Sequence, residues 1–198
     1  MMTETSLRET IVDTAVMLAA ESSWESIKLY QVADRLGISL NDVRSQFSEK
    51  DALIDAWFDR ADEAMLKASD QLGFSQLPAR QKIAYCLMAW FEALGQHQHV
   101  TRQMIAAKLE FGHVHIQFPA IIRISRTVQW LREASQRKAT LPRRALEETV
   151  LTSIFIATFG FWINDRSHQY QATRRLLDFK LSIAERFSRY LFRRCKRD

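Results

Sequence analysis

The chain has 198 residues, 47% apolar and 11% aromatic, with only five glycines and three prolines. This excludes disordered and collagenous chains, and turn formers are too scarce for a many-stranded sandwich or barrel, which needs a tight turn every ~8–12 residues. The net charge of +5 is uneven: residues 1–48 carry four bases against seven acids, net −3, while 186–198 carry six bases against one acid, net +5. The basic balance therefore reports the tail and is no direct sign of a nucleic-acid face.

Helical periodicity then runs through the chain in order. Leu7, Ile11, Ala15 and Leu18 share one face of a first predicted helix over 7–20. A short helix over 29–36 ends at Gly37, a residue suited to a left-handed cap. Ser39 caps another over 40–46. Ser48 to Asp51 read as a loose capping box opening a helix over 49–72, with Ile54, Trp57, Phe58, Ala61, Met65, Ala68 and Leu72 on its apolar face. Further helices are predicted over 79–94, 99–111, 118–137, 142–164 and 168–194, with Pro119 and Pro142 in first turns, where a missing N–H is tolerated. The expectation is an all-α chain of about nine helices. It divides into a three-helix head, 1–48, and a larger helical body, 49–198.

Val32 to Ser39 form the strongest motif: a short helix, a glycine turn and a capped second helix, the pattern of a helix-turn-helix whose second helix enters the major groove. Trp24, Val32, Ala33, Leu36, Gly37, Ile38, Ser39, Val43, Phe47, Lys50, Ala52 and Leu53 carry this further. In order and spacing, without gaps, they resemble the TetR family of bacterial regulators over the first ~60 residues. The resemblance implies a homodimer with DNA-binding heads and a ligand-sensing body. It also implies contact with double-stranded operator DNA through Lys28, Tyr30, Ser39, Asn41, Arg44, Ser45, Gln46 and Lys50. Four positions depart from the family pattern: Leu40 where a small polar residue or Lys is usual, Asp42 for a phosphate-donating Thr or Ser, Arg44 for Tyr, and Lys28 for a capping Thr. A carboxylate at a phosphate-facing position is repulsive, so Asp42 and the −3 head weigh against strong DNA affinity.

In the body, Trp90, Phe91, Trp130, Phe155, Phe159 and Trp162 are the candidates for lining a site for a small apolar ligand or lipid, beside the plainer reading of core packing. Phe161 to Ser167, Tyr170, Leu177 and Asp178, together with residues 57–65, also resemble the lipid-binding accessory proteins of coenzyme Q biosynthesis. Those have a TetR-like fold and a degenerate head, which keeps a lipid-binding protein of ubiquinone biosynthesis as the alternative function. In the last helix, Leu177, Leu181, Ala184, Phe187 and Leu191 form an apolar stripe. Arg186, Arg189, Arg193 and Arg194 follow it, where the helix dipole favours cations and where a peripheral membrane contact would also find them.

Catalytic and metal signals are poor. No phosphate-cradling glycine loop or nucleophile elbow occurs. His97 and His99, like His113 and His115, are two apart and diverge on a helix. Glu110 and His113 have half a di-iron spacing without a second half. No catalytic residue, metal or cofactor is therefore expected. Cys86 and Cys195 suit a reducing cytosol, the acidic N-terminus is unlike a signal peptide, and no uninterrupted apolar run of ~18 residues is seen.

Overall fold

The structure, a computed structural model, describes the backbone of residues 4–109, 114–137, 141 and 143–194, and the side chains of 6–108, 122–137, 141 and 143–190. The described residues form nine α-helices and no strand: α1 (Glu4–Glu21), α2 (Leu29–Leu36), α3 (Leu40–Gln46), α4 (Lys50–Ser69), α5 (Ala79–Gly95), α6 (Gln98–Leu109), α7 (Val114–Ala134), α8 (Arg143–Trp162) and α9 (Gln171–Arg194). Single 3-10 turns at Phe74–Gln76 and His168–Tyr170 precede α5 and α9.

The chain folds as two compact units, Met1–Ala61 with Leu94–Phe118, and Asp62–Ala93 with Pro119–Asp198. These boundaries differ from the expected division at residue 48. In the first unit α6 joins the three-helix head and the first half of α4, and its buried side chains explain why. Val100, Thr101 and Met104 are fully buried, and the Trp57 indole N–H donates to the Thr101 hydroxyl at 2.9 Å. Gln103 accepts from the Trp24 backbone N–H at 2.6 Å, and Lys108 pairs with Asp55 at 3.0 Å. Arg60, on α4, bonds the Asp13 carboxylate and the Glu9 carbonyl on α1.

The second unit is built on α5, α7, α8 and α9, with Leu87, Trp90, Phe91, Leu131, Phe155, Trp162 and Leu177 in its core. Two ionic clusters are buried with it. Asp62 meets Arg123 at 2.9 Å and accepts from the Trp90 indole N–H and the Thr127 hydroxyl. Arg132, 3% exposed, reaches Glu148 at 2.8 Å and Glu147 at 3.8 Å. Pairing is what allows such charges inside, because an isolated one would face a desolvation penalty of several kcal/mol.

Several expectations are corrected. α4 ends at Ser69, so Leu72 lies past its apolar face and is fully exposed. α7 begins at Val114, which makes Pro119 its sixth residue, beyond the first turn where a missing N–H costs nothing. The α9 stripe is buried only in its first half: Leu177 and Leu181 are covered while Phe187 is 55% exposed, and the Leu191 side chain lies outside the described residues. α8 is, by length and composition alone, long and apolar enough to cross a membrane, but Thr149, Thr152, Ser153 and Thr158 interrupt it, so it holds no uninterrupted apolar run of ~18 residues. Glu110, Gly112, His113, Pro142, Cys195, Lys196 and Arg197, and the side chains of His115, Arg193 and Arg194, also lie outside the described residues. Among those described, no three His, Cys, Asp or Glu gather as for a metal ion.

Candidate nucleic-acid interface and effector core

The helix-turn-helix is fixed by its caps. Gly37 takes φ 65°, and the Ile38 N–H returns to the Ala33 carbonyl at 3.1 Å, closing α2 with a left-handed turn that a β-carbon would strain. At the start of α2 the Lys28 N–H is held by the Gln31 side chain at 2.7 Å, so Lys28 takes the cap position without a capping side chain of its own. α3 opens with a reciprocal box. The Ser39 hydroxyl accepts from the Asp42 N–H at 3.1 Å, while the Asp42 carboxylate accepts from the Ser39 N–H and hydroxyl at 2.9 and 2.7 Å. The Ser39 side-chain bond, then the Ser39 backbone bond, hold the Asp42 carboxyl below its usual range. Asp42 is thus the partner of Ser39 in capping the helix, a role that serine followed three residues later by an acid signals in the sequence and that a reading by charge alone overlooks.

Val43 and Phe47 anchor α3 in the core, which turns the opposite ridges to solvent. Leu40, Asn41, Arg44 and Ser45 lie there, with Lys28 and Tyr30 exposed on the approach to and first turn of α2. The Ser45 hydroxyl donates to the Asp42 carbonyl at 2.7 Å, whereas Asn41 and Arg44 make no side-chain hydrogen bond or ion pair among the described residues. Gln46 is half-buried, and its carbonyl accepts from Arg8 at 2.6 Å; that guanidinium also lies 4.2 Å from the Phe47 ring centre. Arg8 is absent from the expected set; it lies 38 residues before Gln46, and only folding brings it beside the end of α3.

Lys50 stands apart from the other expected DNA residues. Its ammonium donates to the carbonyls of Trp24, Glu25 and Ile27, and it lies 5.2 Å from the Trp24 ring. Burial, then the Lys28 charge, lower its pKa. The side chain ties the start of α4 to the 24–27 loop.

In the second unit, five of the six expected aromatic residues come together. Trp90 meets Phe155 and Phe159 edge-on, with ring centres 5.1 and 5.6 Å apart, and Phe91 stacks against Trp162 at 5.5 Å. Phe155, Phe159 and Trp162 share a stripe of α8. On that stripe the buried Thr158 hydroxyl has no hydrogen-bond partner among the described residues. Trp130 is not part of this cluster; it is 47% exposed, because Thr127, Val128 and Leu131 turn the buried side of α7 away from it. The Asp62 network adjoins the cluster through the Trp90 indole. Cys86 is buried nearby on α5, and burial pushes its thiol up to about 12, so it is unreactive at neutral pH.

The 161–173 segment has a local structural task. The Asp165 carboxylate accepts from the Ser167 N–H at 2.8 Å, and from the N–H and hydroxyl of Thr173 at 2.9 and 2.6 Å, so it caps the start of α9. Burial opposes its ionisation, but the Thr173 and Ser167 hydrogen bonds outweigh burial and leave the carboxyl below its usual range. Farther along, α8 and α9 leave apolar side chains outside: Ile156 and Phe161 on α8, and Phe179, Ile183, Phe187 and Tyr190 on α9. A β-carbon placed at Gly160 of α8 would meet nothing within 4 Å. Two open grooves of about 310 and 340 Å³ run along these helices, the second lined by Thr149, Ser153, Ile183 and Phe187 among others.

No family model matches the chain, and no curated protein does. Solved structures do. The crystal structure of the TetR transcriptional regulator from Nitrosomonas europaea is 50% identical with a TM-score of 0.81, over 90% of this chain and 98% of that one. A TetR transcriptional regulator from Rhodococcus sp. RHA1 shares the fold at 18% identity and TM-score 0.65, again over 90% and 98% of the two chains. The TetR family regulator PfmR from Thermus thermophilus shares it at 14% identity and 0.54, over 87% and 97%. The second resemblance, to lipid-binding proteins of coenzyme Q biosynthesis, gains nothing from these neighbours.

Proposed function

The chain belongs to the TetR family of transcriptional regulators, and from that premise we propose that it binds operator DNA as a homodimer through α3 and is released by a small ligand held in the second unit. The observation that carries DNA binding is the free outward ridge of α3. Its helix is rigidly capped, its inner side is anchored by Val43 and Phe47, and Asn41 and Arg44 are left with no side-chain partner among the described residues. Those residue types suit base edges, Asn to adenine and Arg to guanine. Lys28 and Tyr30, both exposed, are assigned to the phosphate backbone, while Lys50, Ser39 and Asp42 serve the scaffold. With so few free cations on this face, binding should depend on salt less steeply than the thousandfold or more, from about 50 to 200 mM, typical of six or more phosphate contacts.

Dimerisation is assigned to the outer faces of α8 and α9, whose exposed aromatic and aliphatic side chains need a cover in water. The effector is assigned to the aromatic cluster around Trp90 and Phe159. The unpaired Thr158 hydroxyl favours a ligand with an apolar or aromatic body and one hydrogen-bonding group. Ligand binding would act by favouring a head spacing that no longer matches two half-sites one helical turn apart.

Selection from a random duplex library, followed by anisotropy titration of the winning sequence at several salt concentrations, tests this reading. The expected outcome is an inverted repeat with half-sites about 10 base pairs apart, bound by two chains. A protein that selects no sequence and binds duplexes only weakly and uniformly would contradict it.

A further inference from the structure

On the operator-binding reading, the outward ridge of α3 carries one large aliphatic side chain among its polar ones. Leu40, the first residue of α3, is 52% exposed. It is held there by a framework that leaves it little freedom: the Ser39–Asp42 box fixes the backbone on one side, and buried Val43 fixes the helix rotation on the other. Three of the polar groups around it are engaged with one another. Ser39 and Asp42 bond each other, and the Ser45 hydroxyl bonds the Asp42 carbonyl. Arg44, one turn on, lies on the same side of the helix and has no partner among the described residues.

We infer that Leu40 is a base-reading residue, its side chain seating against the C5-methyl group of a thymine in the major groove; this rests on the operator-binding reading above. In that groove the thymine methyl is the apolar feature that separates T·A from the other pairs, and an aliphatic side chain recognises it by excluding water. Leu40 and Arg44 are four residues apart, a rise of about 6 Å along the helix. Base pairs stack at ~3.4 Å, so the thymine lies within about two steps of the guanine that Arg44 takes. The chemistry also explains how a head of net charge −3 with Asp42 beside its reading ridge gains specificity: the methyl contact needs no positive charge.

The test uses the full-length protein and the half-site found by library selection, with each thymine replaced singly by deoxyuridine, which lacks only the methyl group. For the native chain one position per half-site should weaken binding about fourfold, the worth of one buried methyl, and roughly fifteenfold when both half-sites are changed. Leu40→Ala, an exposed substitution to a good helix former, should bind the thymine sequence more weakly and lose the discrimination at that position alone. Binding to a selected operator with no uridine-sensitive thymine, or with the same sensitivity in Leu40→Ala, overturns the assignment of Leu40 and leaves the regulator reading standing. Failure to select any operator overturns both.

Discussion

Thr101→Val isolates one buried hydrogen bond in the first unit. The Thr101 hydroxyl is fully buried, accepts from the Trp57 indole N–H at 2.9 Å and donates to the His97 carbonyl at 3.1 Å. Valine has nearly the same shape, so the change leaves no cavity. The His97 carbonyl keeps the Thr101 backbone N–H at 2.9 Å. What is lost is the acceptor for an indole N–H on a residue only 5% exposed. Orphaning such a donor costs ~1–3 kcal/mol, and about 2 kcal/mol is expected here because no water-accessible face is open to it. For a chain of this size that is a drop of about 4–8 °C in the unfolding midpoint. Circular dichroism melts at matched protein concentration measure it, since association would otherwise shift the midpoint. Thr101→Ser keeps the hydroxyl and deletes one methyl, worth ~0.8 kcal/mol, so it should be the milder change. A serine variant less stable than the valine variant would refute the reasoning, because the methyl rather than the hydrogen bond would then tie α4 to α6.

Three further outcomes are expected. Asp165→Asn should cost ~1–2 kcal/mol at neutral pH through its weakened bonds to Ser167 and Thr173. Because the folded carboxyl titrates below its unfolded value of ~3.9, that advantage is complete above this pH and vanishes as the pH falls through the folded value, so urea midpoints of the two proteins should converge in acid. Gly160→Leu places a side chain in open space on α8, so it should leave the melting of the single chain intact while shifting sedimentation towards the 23.1 kDa monomer; an unchanged dimer would remove this face from the interface. Arg44→Ala should weaken operator binding by ~1–3 kcal/mol and relax specificity at one base pair, and a titration within a few tenths of the native chain would strike Arg44 from the reading ridge.

The sequence made some elements readable and hid others for physical reasons. The limits of α2 and α3 were legible to the residue because both are set by local chemistry, Gly37 at a left-handed turn and Ser39 at a cap. The Ser39–Asp42 box is written there too, in a serine followed three residues later by an acid; weighing that acid only as a charge facing phosphate misses that its Oδ2 also caps the helix. Lys50 shows the opposite limit. Nothing near it in the chain announces the carbonyls of Trp24, Glu25 and Ile27, which arrive only by folding. The same holds for α6, which meets α4 through Thr101 and the head through Gln103, at partners 44 and 79 residues away. Five of the six aromatic candidates converge because α5 and α8 present them at helical spacing, whereas Trp130 lies on the opposite side of α7 from buried Val128 and Leu131.

The central claim is that the outward ridge of α3 reads DNA. The direct measurement is a pull-down of fragmented genomic DNA by the native full-length chain, run beside an Asn41→Ala, Arg44→Ala double variant whose substitutions remove no side-chain hydrogen bond among the described residues. The native protein should enrich a small set of fragments sharing one inverted repeat, and the double variant, equally folded by circular dichroism, should enrich none of them. Equal enrichment by both proteins, or no shared repeat among fragments captured by the native chain, would contradict it.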